Sequence, residues 1–424
     1  MLSRVFLINI ILKLIQGIFA CIIIGFQSHS LSRLDFNNLS IIGNAIIFST
    51  FLDLGVGVNF VQSYFLKYKN MNYIDEDRFA FNFLKMHISL FIITSIFQAA
   101  VVTLYTLFAI PGGKDNLNIS LITITFFVTF FYSLTSFLSR ILTAKGMVFE
   151  LLLFQLLGIL VQLITTFLLF NCSAQLTYFL VSLAVPNLLV GLLSFKILAS
   201  RVTSDENLKN ILSKNFKMNK NNFSFSSNLM IQILQIAQFA TLTIPIAIFA
   251  HISEQTTMFT VLITLRIFSS VASSLSSFNT IEWRQRSLKG LSSALDVKND
   301  NIYLLQKIFI GILLSIATAS ITSVFWNVLS RNTKMPSELM WITWILYIIV
   351  QIVQWHYYYK ILAQSKYVNL LIGTLIQFCA MSLVIILLDP DWSETFPLSS
   401  VCGITLSSIY LLLVSLRNST ESKD

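Results

Sequence analysis

The chain has 424 residues, of which 55% are hydrophobic and only 11% are charged, and its formal net charge is +9. Soluble globular domains carry roughly 25% charged residues, so this composition supplies too few charges for a solvated surface. It excludes a soluble enzyme, a nucleic-acid-binding protein and a secreted disulfide-rich domain. It predicts an all-α polytopic membrane protein.

Twelve apolar stretches are long enough to cross a bilayer, since a spanning helix needs about 20 apolar residues. We number them as spans 1 to 12, and they lie at about 5–26, 39–66, 82–110, 119–142, 148–170, 176–198, 228–250, 257–281, 303–328, 339–362, 368–388 and 397–416. The first stretch is too long for the apolar region of a typical secretory signal, and no small-residue cleavage pattern follows it. We therefore expect it to be a span of the mature protein.

Lysine and arginine residues indicate the orientation, because they are enriched in cytoplasmic loops. If the N-terminus is cytoplasmic, the outer loops hold four of the 28 basic residues, namely Arg33, Lys114, Arg331 and Lys334. Lys13 and Arg266 lie inside spans, and the remaining 22 lie on or near the cytoplasmic side. This bias predicts that both termini are cytoplasmic.

A basic hydrophilic loop divides the chain into two halves of six spans each. The predicted N-terminal lobe covers residues 1–199, the cytoplasmic loop 200–222, the C-terminal lobe 223–416 and a cytoplasmic tail 417–424. Because six is an even number, both lobes begin on the inside, so any structural repeat would be parallel. Span count and loop placement carry this argument, since the two lobes share no strong sequence identity.

Three charged residues lie within spans, where a charge at the bilayer centre costs roughly 2.5–3.5 kcal/mol. They are Lys13 in span 1, Asp53 in span 2 and Arg266 in span 8. Charges at this depth usually line a water-filled cavity or form pairs. Two alternatives are a structural ion pair, such as Asp53 with Lys13, and extension of the Lys13 side chain towards the cytoplasmic headgroups.

Polar residues at helical spacing give five spans a polar face. The members are Asn9, Lys13 and Gln16 in span 1; His87, Thr94 and Gln98 in span 3; Asn228, Gln232, Gln235 and Gln238 in span 7; Arg266, Ser269, Ser270, Ser273 and Ser277 in span 8; Tyr347, Gln351, Gln354 and Tyr358 in span 10. Such faces could instead join helices by hydrogen bonds. Because two of them contain a cation, we predict a central cationic cavity between the lobes, suited to an anionic substrate.

No group of histidine, cysteine and acidic residues has the spacing of a metal site, and the four cysteines are scattered. No glycine-rich nucleotide-binding motif follows a predicted strand. We therefore expect no cofactor, and we leave open a coupling proton or sodium ion.

The segment FLDLGVGVNFVQSYFLKY, residues 51–68, resembles the second-helix signature of polysaccharide exporters in the multidrug/oligosaccharidyl-lipid/polysaccharide (MOP) superfamily. LRIFSS, residues 265–270, is similar to a segment of their eighth helix. Within that group the resemblance is to O-antigen flippases of the Wzx type. The sequence departs from the pattern at 237–249, which lacks the acidic residue often found in helix 7, and at 278–287, which keeps Trp283 but has no proline.

The resemblance implies a transporter rather than an enzyme: a flippase that moves an undecaprenyl-pyrophosphate-linked oligosaccharide across the bacterial inner membrane by alternating access. Its expected partners are this lipid-linked substrate, membrane lipids and the polysaccharide polymerase or chain-length machinery, and no nucleic acid. Arginine binds phosphate bidentately and lysine as a point charge, whereas amides and hydroxyls suit sugars. The predicted substrate-binding residues are Arg266, Lys13, Gln16, Ser270, Ser273, Gln232, Gln235 and Gln351, and Asp53 is predicted to bind a coupling ion or to form an ion pair.

Two other functions remain as alternatives. A multidrug or small-solute cation-coupled antiporter of the same fold would favour an acidic, aromatic cavity, whereas the charges at depth here are mainly basic. A membrane glycan polymerase or glycosyltransferase generally needs a sizeable loop outside the membrane, and the predicted outer loops are all short.

Overall fold

The computed structural model describes residues 4–52, 73–110, 119–145, 147–172, 175–203, 225–269, 271–272, 297–330, 333–364 and 366–421. In these ranges the chain consists of helices with short connections and contains no β-strand. The predicted all-α fold is therefore confirmed.

The helices follow the order of the predicted spans. In the first half they are α1 (Arg4–Ser30), α2 (Arg33–Phe48) with a 3-10 turn at Ser49–Phe51, α3 (Tyr73–Ala109), α4 (Ile119–Lys145), α5 (Val148–Asn171) and α6 (Leu176–Thr203). In the second half they are α7 (Phe225–Ile252), α8 (255–269), α9 (Val297–Val324), the short α10 (Trp326–Ser330), α11 (Glu338–Ala363), α12 (Tyr367–Leu387) and α13 (Thr395–Glu421).

Nine helices in the described part of the chain are long and apolar enough to cross a bilayer. They correspond to predicted spans 3 to 7 and 9 to 12. Helix α1 contains a shorter apolar run, Ile15–Ser30, while predicted spans 2 and 8 continue past α2 and α8 into residues outside the described ranges. The nine spans are confirmed as membrane-length helices, and the total of twelve stays a prediction.

The connection between α1 and α2 is shorter than the sequence predicts. We expected a loop at 27–38, but α1 continues to Ser30 and α2 begins at Arg33. The Ser32 hydroxyl caps α2 by accepting a hydrogen bond from the Asp35 backbone N–H at 3.1 Å. Hydropathy misplaced these helix ends because several polar residues here are buried against the second half of the protein.

The helices of the two halves pack in the same order. In the first half, α4 packs against α3 and α6, and α5 packs against α1 and α6. Six spans later, α11 packs against α9 and α13, and α12 packs against α7 and α13. A parallel repeat of two halves would produce such a repetition, and the division into two lobes of six spans stays a prediction. The residue boundaries given above for the lobes remain predictions.

Close approach of helix backbones holds parts of both halves together, as is common where small residues meet in membrane proteins. A Cβ on Gly158 of α5 would lie 2.8 Å from the Cα of Pro186 in α6, and one on Gly191 would lie 2.7 Å from the Cβ of Thr135 in α4. In the second half, a Cβ on Gly403 would lie 2.8 Å from the backbone oxygen of Gln377.

Candidate functional site

The two halves contact each other near the helix ends that lie on the predicted outer side of the membrane. Helix α10 packs against α1, and α7 packs against α2 and α3. At the centre of this contact, the rings of Phe36 and Phe259 are fully buried and pack edge to face with their centroids 4.9 Å apart. We term the contact the outer seam, formed by residues 25–29, 36–37, 105–108, 239–266 and 326–329.

Most hydrogen bonds that we describe across the outer seam run from a side chain of one half to a backbone carbonyl of the other. Ser28 Oγ donates to Leu329 O at 2.6 Å, Asn37 Nδ2 to Gln255 O at 3.2 Å and Tyr105 OH to Thr243 O at 2.9 Å. The Nε2 atoms of His251 and His29 contact the carbonyls of Phe108 (2.8 Å) and Val328 respectively. Because the acceptors are backbone carbonyls, these hydrogen bonds do not depend on which side chains the opposite half carries.

Arg266 makes a different kind of bond across the seam. Its Nη1 donates to Gln27 Oε1 at 2.8 Å, which joins a cationic side chain of α8 to a neutral side chain of α1. The guanidinium carbon also lies 5.9 Å from the centroid of the Phe36 ring, within the range of a cation–π contact. A predicted substrate residue is therefore placed at the interface between the halves.

Gln27 itself is 0% exposed, and its Nε2 has no hydrogen-bond partner in the described structure. Reversing the amide would place its N–H groups against the guanidinium, which also only donates, so the hydrogen bond itself fixes the orientation. The Arg266 side chain is only partly buried, and a guanidinium carries five N–H donors. Among the described residues, only one of these donors has a hydrogen-bond partner, and the others could bind an acceptor-rich ligand.

Gln16 and Gln351, two other predicted substrate ligands, form hydrogen bonds within a single half. Gln16 is buried, and its Nε2 donates to the Leu152 backbone oxygen of α5 at 3.1 Å. Gln351 Nε2 donates to Gln354 Oε1 at 2.8 Å. The Gln16 contact is that of the alternative interpretation, in which polar faces join helices, whereas the Gln351 contact lies within α11. A role of either residue in substrate binding stays a prediction.

The Gln351–Gln354 pair belongs to a buried network that connects three helices of the second half. Gln354 of α11 donates through Nε2 to Gln377 Oε1 of α12 at 2.6 Å and to Ser407 Oγ of α13 at 3.0 Å. All four side chains are at least nine-tenths buried. The polar face predicted for span 10 therefore packs in part against the neighbouring helices of its own half.

The remaining predicted site residues are placed only in part. On α7, Gln235 is buried and Gln232 is partly exposed. Lys13 lies on α1, but its side chain is outside the described structure, as are Asp53, Ser270 and Ser273 altogether. The central cavity, the ion-coupling role of Asp53 and the substrate roles of these residues all stay predictions.

Sequence reasoning missed Gln27, because the predicted loop began there. A signal was available: Gln27 follows Gln16 by eleven residues, which is about three helical turns, so the two lie on one face of α1. It also missed Gln377, which follows Asn369 by eight residues in an otherwise largely apolar span.

The acidic residues in the described structure lie near helix ends or between helices. Examples are Glu150, Glu254, Glu338 and Glu394. Among these residues no group of three or more histidine, cysteine or acidic side chains could hold a metal ion. Residues 255–269, the described part of α8, contain no acidic residue.

Solved structures with the same fold are transporters. The chain aligns over 98% of its length, and 96% of the other chain, with a MATE transporter in complex with Br-NRF, at a TM-score of 0.54 and 12% identity. An inward-facing multidrug resistance MATE family transporter of the MOP superfamily aligns over 97% of this chain and 99% of its own, at a TM-score of 0.54 and 12% identity. A eukaryotic MATE transporter aligns over 96% and 93%, at a TM-score of 0.56 and 11% identity. The chain has the MATE fold.

No protein-family model and no curated protein matches the sequence. The structural likeness confirms the expected fold, and the nine apolar helices support a multi-pass membrane protein. The likeness does not show that the chain is a Wzx-type flippase, because at this sequence identity a structural likeness shows the fold alone.

Proposed function

We propose that this chain is an exporter whose two halves rock about a bound substrate. The MATE fold over nearly the whole chain supports the proposal. So does the outer seam, because the contacts that we describe between the halves lie at one end of the helices. Such a contact can open as a unit, while the packing inside each half is kept.

The named neighbours favour the antiporter that the sequence analysis offered as its alternative. One of them is a multidrug resistance transporter, so this alternative has more direct support from known structures than the flippase has. This support concerns the fold and not the identity of the substrate, because only 12% of the residues are identical.

The charges of this chain favour the lipid-linked oligosaccharide, and on that ground we propose it as the substrate. The observation that carries the proposal is Arg266, a cation in predicted span 8 at the interface between the halves, whose described hydrogen-bond partner is a neutral amide. A cation at this depth carries a cost in free energy, and a pyrophosphate would offset that cost through bidentate bonds. A cationic drug would raise it.

In this proposal the remaining predicted ligands act as secondary contacts. Lys13 would add a point charge for the pyrophosphate. Gln232 and Gln235 of α7, together with Ser270 and Ser273 of predicted span 8, would bind sugar hydroxyls. Gln16 and Gln351 would serve the substrate only through rearrangement of their present hydrogen bonds. Asp53 would bind the coupling proton or sodium ion, or pair with a nearby cation.

The experiment uses purified protein in liposomes, with two substrates measured in parallel. One is a fluorescent oligosaccharide linked to a polyprenyl pyrophosphate, whose movement between leaflets is followed with an impermeant quencher. The other is ethidium, a cationic drug. We expect transport of the lipid, reduced roughly 10- to 100-fold by Arg266→Ala, as for the loss of a buried charge-assisted hydrogen bond, and less by Arg266→Lys.

Arg33→Ala is the matched control, because Arg33 is an exposed arginine at the start of α2. It should leave transport unchanged. If the wild-type protein moves ethidium against a cation gradient and does not move the lipid, the antiporter is the correct function. If it moves the lipid and the Arg266→Ala variant is fully active, the pyrophosphate is held elsewhere.

A further inference from the structure

We propose that Gln27 and Arg266 form a latch that keeps the outer seam closed, and that the anionic headgroup of the substrate releases it by taking over the Arg266 guanidinium. The proposal rests on the anionic substrate proposed above and adds the step that couples binding to opening. Gln27 would act as a positioning residue for Arg266 and would not itself be a ligand of the substrate.

The first argument is the difference between this bond and the others across the seam. The bonds of Ser28, Asn37 and Tyr105 end on backbone carbonyls of the opposite half. A bound anion gains less from those neutral donors than from a donor that carries a positive charge. Arg266 is the donor among these that carries a charge, and an anion forms stronger hydrogen bonds with a guanidinium than an amide oxygen does.

The second argument is the state of Gln27. Its Nε2 is already buried without a partner, so the bond from Arg266 to Oε1 at 2.8 Å is its one described hydrogen bond. If an anion takes the guanidinium, both polar atoms of a fully buried amide are left without partners. A buried polar group in that state is unfavourable, and opening the seam relieves it by admitting water to Gln27.

The third argument is the position of the pair. Arg266 belongs to α8 in the second half and Gln27 to α1 in the first, and the Phe36 ring lies beside the guanidinium. The interaction therefore crosses the surface along which the halves must separate. Binding from the cytoplasmic side would remove a contact on the outer side, which is the direction that export requires.

The experiment measures the width of the seam by pulsed dipolar spectroscopy on full-length protein in liposomes. Spin labels are placed at Gln175 and Met335, two exposed positions on the predicted outer side of the first and second half. The four native cysteines are replaced by serine. Farnesyl pyrophosphate is the probe, and farnesol is the neutral control.

We expect farnesyl pyrophosphate, and not farnesol, to widen the distance in the wild-type protein and to have no effect in Arg266→Ala. Without ligand, Gln27→Leu should widen it and Gln27→Glu should narrow it, because glutamate would form a salt bridge with Arg266. Gln27→Glu should also raise the concentration of farnesyl pyrophosphate for half-maximal opening by about tenfold.

A double-mutant cycle separates the latch from general loosening of the seam. Gln27→Leu should have no further effect in the Arg266→Ala background. The control Asn37→Leu removes a bond to a backbone carbonyl, so it should widen the seam equally in both backgrounds. Variants are compared at equal membrane levels and after size-exclusion chromatography, and the glutamate variant provides a second test if the leucine variant does not fold.

Failure of the latch and failure of the proposed substrate give different results. If farnesyl pyrophosphate opens the wild-type seam but Gln27→Leu and Arg266→Ala act additively, the latch is wrong and the anionic substrate stands. If farnesyl pyrophosphate narrows the distance, the anion bridges the halves and release is wrong. If farnesyl pyrophosphate has no effect and ethidium opens the seam, the proposed anionic substrate is wrong. The proposed release of the latch by an anion is then wrong as well.

Discussion

Two sets of buried amide side chains, one in each half, have opposite surroundings. In the second half, Gln354 is bonded to Gln377 and Ser407 on two neighbouring helices. In the first half, Gln98 of α3 is 1% exposed, and neither atom of its amide has a hydrogen-bond partner in the described structure. A satisfied polar network strengthens a core, whereas an unsatisfied buried group costs about 1–3 kcal/mol.

This difference shows that a buried polar residue in a span can stabilise or destabilise the protein, depending on whether it is hydrogen-bonded. Both halves contain further buried polar atoms without described partners, such as those of Asn38 and Asn44 in the first and of Thr322 and Ser382 in the second. In both halves helix backbones also approach closely at glycine. The second half has in addition the buried amide network, in which Gln354 of α11 donates to side chains of α12 and α13.

The largest effect is expected from a change in shape in the first half. Gly158→Ala would place a Cβ 2.8 Å from both the Cα and the carbonyl oxygen of Pro186. Since a backbone cannot move aside like a flexible side chain, we expect a loss of about 3 kcal/mol. Thermal unfolding in detergent measures it. Gly17→Ala is the control, because nothing lies within 4 Å of its Cβ, and a loss of equal size there would contradict the explanation.

The next largest effect is expected in the amide network. Gln354→Leu keeps the approximate size of the side chain and leaves Gln351, Gln377 and Ser407 without a common partner. We expect a loss of about 1–2 kcal/mol, towards the upper limit for hydrogen bonds between membrane helices. Gln232→Leu on α7, at a partly exposed position, should change stability by much less. Equal thermal shifts in the two variants would argue against the network.

The smallest expected effect is at Gln98, and it is a gain in stability rather than a loss. Gln98→Leu removes a buried amide whose two polar atoms have no described partner, so the same substitution should here stabilise the protein by about 1 kcal/mol. A rise in the unfolding temperature measures it. A clear fall would mean that Gln98 is hydrogen-bonded in the membrane, and the contrast between the halves would disappear.

The sequence predicted the features that depend on local composition. The length of apolar stretches located nine helices that the structure confirms as long enough to cross a membrane, because burial in lipid selects for apolar residues along a whole span. Helical spacing also placed Gln351 and Gln354 near one another, since residues three apart lie on one face of a helix, and the structure bonds them at 2.8 Å. Such properties need no knowledge of the neighbouring helices.

The tertiary structure decided which neighbour each polar face meets. Spacing alone could not show that Gln16 bonds to Leu152 inside the first half, whereas Gln27, on the same face of α1, bonds to Arg266 across the outer seam. Hydropathy even assigned Gln27 to a loop, because a polar residue buried by a partner helix has the same hydropathy as one in water. The periodicity of a helix fixes a direction from its axis, and only the packing of distant segments determines what lies in that direction.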